Sequence, residues 1–319
     1  MKKIISIVIP AYREELYLRE TIALLMKELA LFSHDYDFEI VIVNDGSPDD
    51  TWGVIQSLSA EYESIVGVNL SRNFGKEIAL TAGLEQSSGD AVITLDADGQ
   101  YPIDKIPLFL QKRKEGYKIV YNKRPVQQGV SWFKTMSSKA FYRLFSQLSD
   151  VQIESQTTDY RLLDREVVNV FLKFKEKNRM FRGLIDWVGF KRYALEFDTL
   201  PPPHGRVASY SYSKLFKLAL DSLTSFSAVP LKLIGLLGAM ISLLSSLAIC
   251  FILGHKIFFD NAWGFTNLGL FTLFNTFFIG IMMIGMGLIA MYIARIHDEV
   301  MDRPLYIVDE VIKNENMKH

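Results

Sequence analysis

The sequence is short of cysteine. Cys250 is the only one among 319 residues, so no internal disulfide can form, and its place in an apolar run gives it a packing role. An excess of either charge is also missing: 35 Lys and Arg stand against 36 Asp and Glu, a formal net charge of -1. No global basic field points to nucleic acid, and an anionic substrate must be met by local Arg and Lys. The N-terminus, MKKIISIVIPAYRE, starts basic, but its apolar stretch ends after about six residues, too short for the apolar core of a secretory signal. No G-x-G-x-x-G follows the first apolar run and no G-x-x-x-x-G-K-[ST] occurs anywhere. The dinucleotide fingerprint and the P-loop are therefore excluded as ways of holding a diphosphate.

What is present in excess is apolar surface, 49% of residues. Two uncharged runs concentrate it, Leu233 to Leu253 and Leu268 to Ala294, about 21 and 27 residues, each long enough to cross the roughly 30 Å hydrocarbon core as a helix. Lys214, Lys217 and Lys232 precede the first run, Arg295, Arg303 and Lys313 follow the second, and the loop between them carries only Lys256. That asymmetry predicts two transmembrane helices with both termini in the cytoplasm. Ahead of them, SKLFKLALDSLTSFSAVP sets Leu215, Leu218, Leu223 and Phe226 to one side and Lys214, Lys217 and Asp221 elsewhere, as an interfacial helix does. The expected organisation is a cytoplasmic catalytic domain over 1–212, an interfacial amphipathic helix over 213–229, a two-helix transmembrane hairpin over 230–294 and a cytoplasmic tail over 295–319. The expected location is the cytoplasmic (inner) membrane, with the catalytic domain in the cytoplasm.

Over the first 125 residues, short Ile- and Val-rich runs alternate with longer helical patterns. Strands are expected near Ile4 to Ile9, Glu39 to Val43, Val66 to Leu70, Ala91 to Leu95 and Lys118 to Tyr121. Helices are expected near Glu15 to Phe32, Thr51 to Tyr62, Lys76 to Gln86 and Ile103 to Glu115. This repeated βαβ pattern makes an α/β fold with a mostly parallel sheet, whose ligands bind beyond the carboxyl ends of its strands. The polar residues at those ends are then the candidates. Pro10-Ala11-Tyr12-Arg13-Glu14 follows the first strand. Asn44-Asp45-Gly46-Ser47 follows the second and runs into Pro48, so that Ser47 reads as a helix N-cap with Pro at the first helical position. Asp96-Ala97-Asp98-Gly99-Gln100 follows the fourth. Two carboxylates at i and i+2 on an irregular strand end can converge on one hard cation, and magnesium takes one or two carboxylates together with substrate phosphates.

These segments, VIPAYREE, VNDGSPDDT, SRNFGKEIALTAGL, DADGQYP, TTDYRLLDR, FRGLIDWVGF and IARIHDEVMDRPLYIV, resemble in order those of family 2 glycosyltransferases of the GT-A fold, in the branch that acts on polyprenyl phosphates. The resemblance implies that Pro10, Tyr12, Glu14 and Asp45 hold the base and ribose of a nucleotide sugar with Lys76 nearby. It implies that Asp96, Asp98 and Gln100 form the diphosphate and metal site, with Mg2+ or Mn2+ on Asp96 and Asp98. Asp98, Asp159 and Arg161 become the catalytic candidates, the last two lining the sugar and acceptor side, and Arg124, Arg182 and Arg206 the candidates for the lipid phosphate. The implied partners are a nucleotide-sugar donor, a polyprenyl (undecaprenyl) phosphate, the membrane and a second copy of the chain. The implied reaction is inverting transfer of a hexose, glucose from UDP-glucose first, with GDP-mannose, UDP-galactose and UDP-N-acetylhexosamine as other donors. A processive polysaccharide synthase is expected to carry a Q-x-x-R-W motif, which is absent. A non-enzymatic membrane scaffold is disfavoured because Asp45, Asp96 and Asp98 remain.

Overall fold

The computed structural model describes residues 2–125, 157–177, 179–200 and 267–313, together with Met240 and Leu247. In chain order the elements are β1 (Lys3–Ala11), α1 (Leu18–Ala30), β2 (Tyr36–Asn44), α2 (Thr51–Glu61), β3 (Ile65–Leu70), α3 (Lys76–Gln86) and β4 (Ala91–Thr94). A 3-10 turn (Ile103–Lys105) leads into α4 (Ile106–Lys114), followed by β5 (Ile119–Lys123), β6 (Thr157–Asp164), α5 (Arg165–Phe171), α6 (Phe181–Trp187), β7 (Arg192–Glu196), α7 (Asn267–Val300) and β8 (Val308–Ile312). The eight strands form one sheet in the order β7-β5-β6-β4-β1-β2-β3-β8. The centre is parallel, β4-β1-β2-β3, as the near-continuous apolar runs require. β6 enters antiparallel between β4 and β5, and β8 closes the far edge antiparallel to β3.

The core follows from the two periodicities. Ile5, Ile7 and Ile9 on β1 and Ile40 and Ile42 on β2 are fully buried. They meet the stripe Leu18, Ile22, Leu25 and Leu29 of α1, spaced by three, four and seven residues on one helix face. Each such side chain contributes about 1.5–3 kcal/mol of burial. This packing holds the strands rigid and presents their carboxyl ends, where the polar residues lie, along one rim.

The expected elements of the α/β region are all found, with ends shifted by a few residues. One local expectation is corrected. Ser47 does not cap α2, whose N-cap is Asp50; the Ser47 hydroxyl instead accepts the Arg13 N–H at 3.1 Å. Gly46 explains the tightness there. It sits at φ +58°, and a Cβ on it would lie 2.2 Å from the backbone carbonyl carbon of Arg72, so only glycine fits the turn.

The chain divides into two compact units, one made of Met1–Arg143, Val151–Tyr210 and Arg303–His319, the other of Leu144–Asp150 and Ser211–Asp302. The second apolar run is helical: α7 spans 34 residues, Asn267–Val300. Among the described residues, no helix is long and apolar enough to cross a membrane. The two expected transmembrane helices are thus not established by the structure: the first run apart from Met240 and Leu247 lies outside the described residues, as does the expected interfacial helix over 213–229. The expected tail, 295–319, contains the end of α7 and then β8, which is part of the sheet.

Candidate active site

One cleft of about 480 Å³ opens at the carboxyl ends of β1, β2 and β4, lined by Pro10, Ala11, Tyr12, Glu14, Asp45, Asn73, Gly75, Lys76, Asp96, Ala97 and Asp98. The residues expected for nucleotide binding are therefore brought together from separate loops. Asp45 is buried, with one oxygen accepting the N–H of Phe74 at 2.7 Å and the other that of Gly75 at 3.0 Å. It pins the loop before α3 as well as facing the cleft. Burial raises its pKa and the two N–H groups pull against that rise.

Beside this pocket lies a chain of opposite charges. The Lys76 ammonium sits 2.7 Å from Asp96 and 2.8 Å from Asp159, and Arg182 grips Asp159 with two bonds, Nε at 2.6 Å and Nη2 at 2.9 Å. Burial alone would raise the Asp159 pKa, but the Arg182 hydrogen bonds and the Lys76 and Arg182 charges hold it well below the usual carboxylate range. Lys76 goes the other way: burial would lower its pKa, yet Asp96 and Asp159 keep it firmly protonated. The Asp96 pKa is raised by burial and by the charges of Asp159 and Asp98, against the pull of Lys76.

Asp98 is half-buried, and both its oxygens are oriented by Gln100, through the backbone N–H at 3.0 Å and the side-chain amide at 2.6 Å. Gln100 is thus a support for Asp98. Among the described residues, no group of three or more His, Cys, Asp or Glu could enclose a metal ion. Asp96 and Asp98 at the cleft still fit a magnesium or manganese site of the kind in which two carboxylates supply part of the shell and phosphate oxygens and water the rest.

One expectation changes here. Arg161 is fully buried: its side chain folds back along β6, donating to the Thr158 carbonyl at 3.0 Å and to Thr157 at 3.2 Å, and it pairs with Asp186 at 3.3 Å. It is not among the residues that line the cleft, and burial lowers its pKa against the opposing charges of Asp186 and Asp159. Arg124 lies exposed just beyond β5 and takes part in none of the contacts described for the cleft. Arg206 lies outside the described residues.

The sequence reading passed over Glu77, which reads there as an ordinary acid in the first turn of α3. Its carboxylate accepts the Phe181 N–H at 3.0 Å, tying α3 to the start of α6 one residue before Arg182. Burial and the Asp159 charge push its pKa up to about 7, against the Phe181 N–H, Arg182 and Lys76. The folded protein then holds a proton that the unfolded chain, near 4.5, releases earlier, so stability falls as pH rises through that window. Glu77→Gln keeps the acceptor oxygen and removes the titration. It is expected to flatten the fall in thermal midpoint between pH 5 and 8, worth at most about 3 kcal/mol and less where solvent reaches the group; parallel midpoint curves for the two proteins would reject this.

The sequence model of glycosyl transferase family 2 matches residues 6–172, just over half of the chain and nearly all of the segment that builds the cleft. The chain belongs to glycosyl transferase family 2. A glycosyltransferase of Synechocystis sp., sll0501, is 40% identical over 96% of this chain and 95% of its own length. The bactoprenol glucosyl transferase of Shigella phage SfV is 35% identical over 98% and 99%. This family 2 chain is therefore a glycosyltransferase. Among solved structures, S. aureus TarS in complex with UDP-GlcNAc aligns with a TM-score of 0.46 at 17% identity, over 70% of this chain and 65% of that one. PcManGT of Pyrobaculum calidifontis, with GDP-Man and Mn2+, aligns with a TM-score of 0.45 at 15% identity, over 65% and 59%. Neither alignment is close enough to transfer the role of any family 2 residue.

Proposed function

We propose that this glycosyltransferase moves a hexose, glucose from UDP-glucose, onto a polyprenyl phosphate at the cytoplasmic face of a membrane, with inversion at the anomeric carbon. The observation that carries the reading is the similarity of nearly the whole chain to bactoprenol glucosyl transferases. The arrangement supports it with Lys76 in the cleft and Arg182 beside it, joined through the Asp159 carboxylate.

A lipid phosphate is a ready nucleophile, because its second pKa is about 6 and its oxygen is largely anionic at neutral pH. The site needs no strong general base. It must instead bring two anions together in line. Pro10, Tyr12 and Glu14 flank the base and ribose, and Asp45 holds the loop that brings Lys76 to the diphosphate. Arg182, fixed by Asp159, offers its remaining donors to an incoming phosphate, a task that suits the planar guanidinium; Arg124 and Arg206 are further candidates for the same group. A divalent cation on Asp96 and Asp98, when bound, supplies positive charge to the departing nucleoside diphosphate.

The two apolar runs are read as a membrane hairpin over 230–294. β8 supports an even number of crossings: it joins the same sheet as β1 to β7, so a chain that leaves this sheet through the membrane must return to the same side. Cysteines placed between Lys256 and Asn267 are expected to label from outside the cell, and one at Asn314 only after permeabilisation. Reversed labelling would reject the hairpin's orientation.

The test of the reaction is a donor panel with purified protein and undecaprenyl phosphate. A glucosylated lipid of inverted configuration is expected from UDP-glucose. Another productive donor would replace glucose and keep the acceptor, whereas no lipid product from UDP-glucose, UDP-galactose, UDP-N-acetylhexosamine or GDP-mannose would reject the proposal.

A further inference from the structure

β8 does more than cover an edge. Opposite it, Asn69 pairs with Glu310 and Leu70 with Val308, so the register shifts between Asn69 and Leu70 and Asp309 becomes the extra residue of a bulge. Bulges re-aim side chains, and here Asp309 accepts a hydrogen bond from the Asn69 amide at 3.2 Å. The contact continues inward. The Asn69 carbonyl oxygen accepts the Asn44 amide at 2.7 Å, the Asn44 carbonyl oxygen accepts the Ser47 N–H at 3.2 Å, and the Ser47 hydroxyl accepts the Arg13 N–H at 3.1 Å. Asn44 is buried at the end of β2, with its side-chain amide engaged at both ends.

The far end of this relay is the lip of the cleft. Arg13 stands at φ +60°, a left-handed conformation that a non-glycine residue leaves unless it is held there. It lies between Tyr12 and Glu14, both of which line the cleft. We infer that Asp309 and Asn69 are positioning residues for the donor nucleotide: through Asn44 and Ser47 they hold the Tyr12–Glu14 lip in the shape that receives it. The inference rests on the reading of this cleft as the nucleotide site. It gives a strand from the far end of the chain a part in donor binding.

The experiment measures UDP binding to the full-length protein by calorimetry, alongside thermal midpoints. Asp309→Ala and Asn69→Ala are each expected to weaken UDP by about three- to tenfold, the loss of one hydrogen bond's worth of positioning. The double variant should bind UDP no more weakly than the weaker-binding of the two single variants, because both act on one relay. Asp309→Asn keeps an acceptor oxygen and should restore binding. Trp52→Phe is the control: it removes the 3.2 Å bond from the Trp52 indole to Glu310 on the same strand without touching the relay, and should leave UDP affinity unchanged. Wild-type affinity in the two alanine variants, additive losses in the double variant, or an equal loss in Trp52→Phe would overturn the inference while leaving the nucleotide site intact. If the wild-type protein binds no UDP at all, the reading of the cleft fails first and the inference falls with it.

Discussion

Replacing Asp98 with alanine is expected to lower sugar transfer by roughly a thousandfold or more, and EDTA should do the same to the unaltered protein. Asp98 lies half-buried at the cleft, and the bonds described for it run to its near neighbour Gln100. Its loss therefore removes little packing, and the thermal midpoint should move by only a few degrees. The chemistry is hit harder because a leaving diphosphate gathers charge as the glycosidic bond breaks, and each tenfold in rate corresponds to about 1.4 kcal/mol of lost stabilisation. On the proposed reading Lys76 still faces the donor diphosphate from the cleft, so affinity for the donor should fall less than turnover. Transfer rates and donor affinity in the variant and the chelated enzyme decide the matter. Near wild-type transfer in both would reject a cation at this pair of carboxylates.

Arg161→Ala should instead break the fold before it touches the chemistry. Arg161 is fully buried beside Asp186, whose side chain is 3% exposed, and removing one partner of a buried pair costs about 3–5 kcal/mol. Arg192, 3.4 Å from the same carboxylate, offsets part of that. At about 2–4 °C per kcal/mol for a domain of this size, the midpoint should drop by roughly 10 °C. Below the new midpoint the donor KM should stay close to that of the unaltered enzyme. A variant that keeps its midpoint but loses turnover would return Arg161 to the reacting groups.

Those two residues also show what could and could not be read from the chain. The position of Asp96 and Asp98 at the cleft was legible because a buried parallel strand announces itself as an apolar run, and in such sheets clefts open where the runs end. Arg161 was misplaced for a related reason: in TTDYRLLDR it stands two residues after Asp159 and shares its alternation, but its partner Asp186 is 25 residues further on, a pairing no local pattern marks. Glu77 escaped notice because its environment is assembled by Asp159, Arg182 and the Phe181 N–H from distant segments. β7 and β8 escaped for want of signal. Arg192–Glu196 and Val308–Ile312 are five residues each with no buried residue in either, and become strands only because a neighbour offers its edge. Of the lipid-phosphate candidates, Arg182 lies beside the cleft, linked to its Lys76 through Asp159, whereas Arg206 lies outside the described residues.

The pairing of β3 with β8 also sets an order of events during synthesis. Asn69 and Asp309 are 240 residues apart in sequence, with the whole of α7 emerging between them. As domains fold N-terminal first on the ribosome, β1 to β4 can assemble early, but β3 keeps one row of N–H and C=O groups without its β8 partner until Val308–Ile312 has been made. An open edge of that kind invites pairing with another chain. The nascent protein thus passes through a stage in which its sheet is built but unsealed, and the strand that seals it is made some 240 residues after the edge it covers.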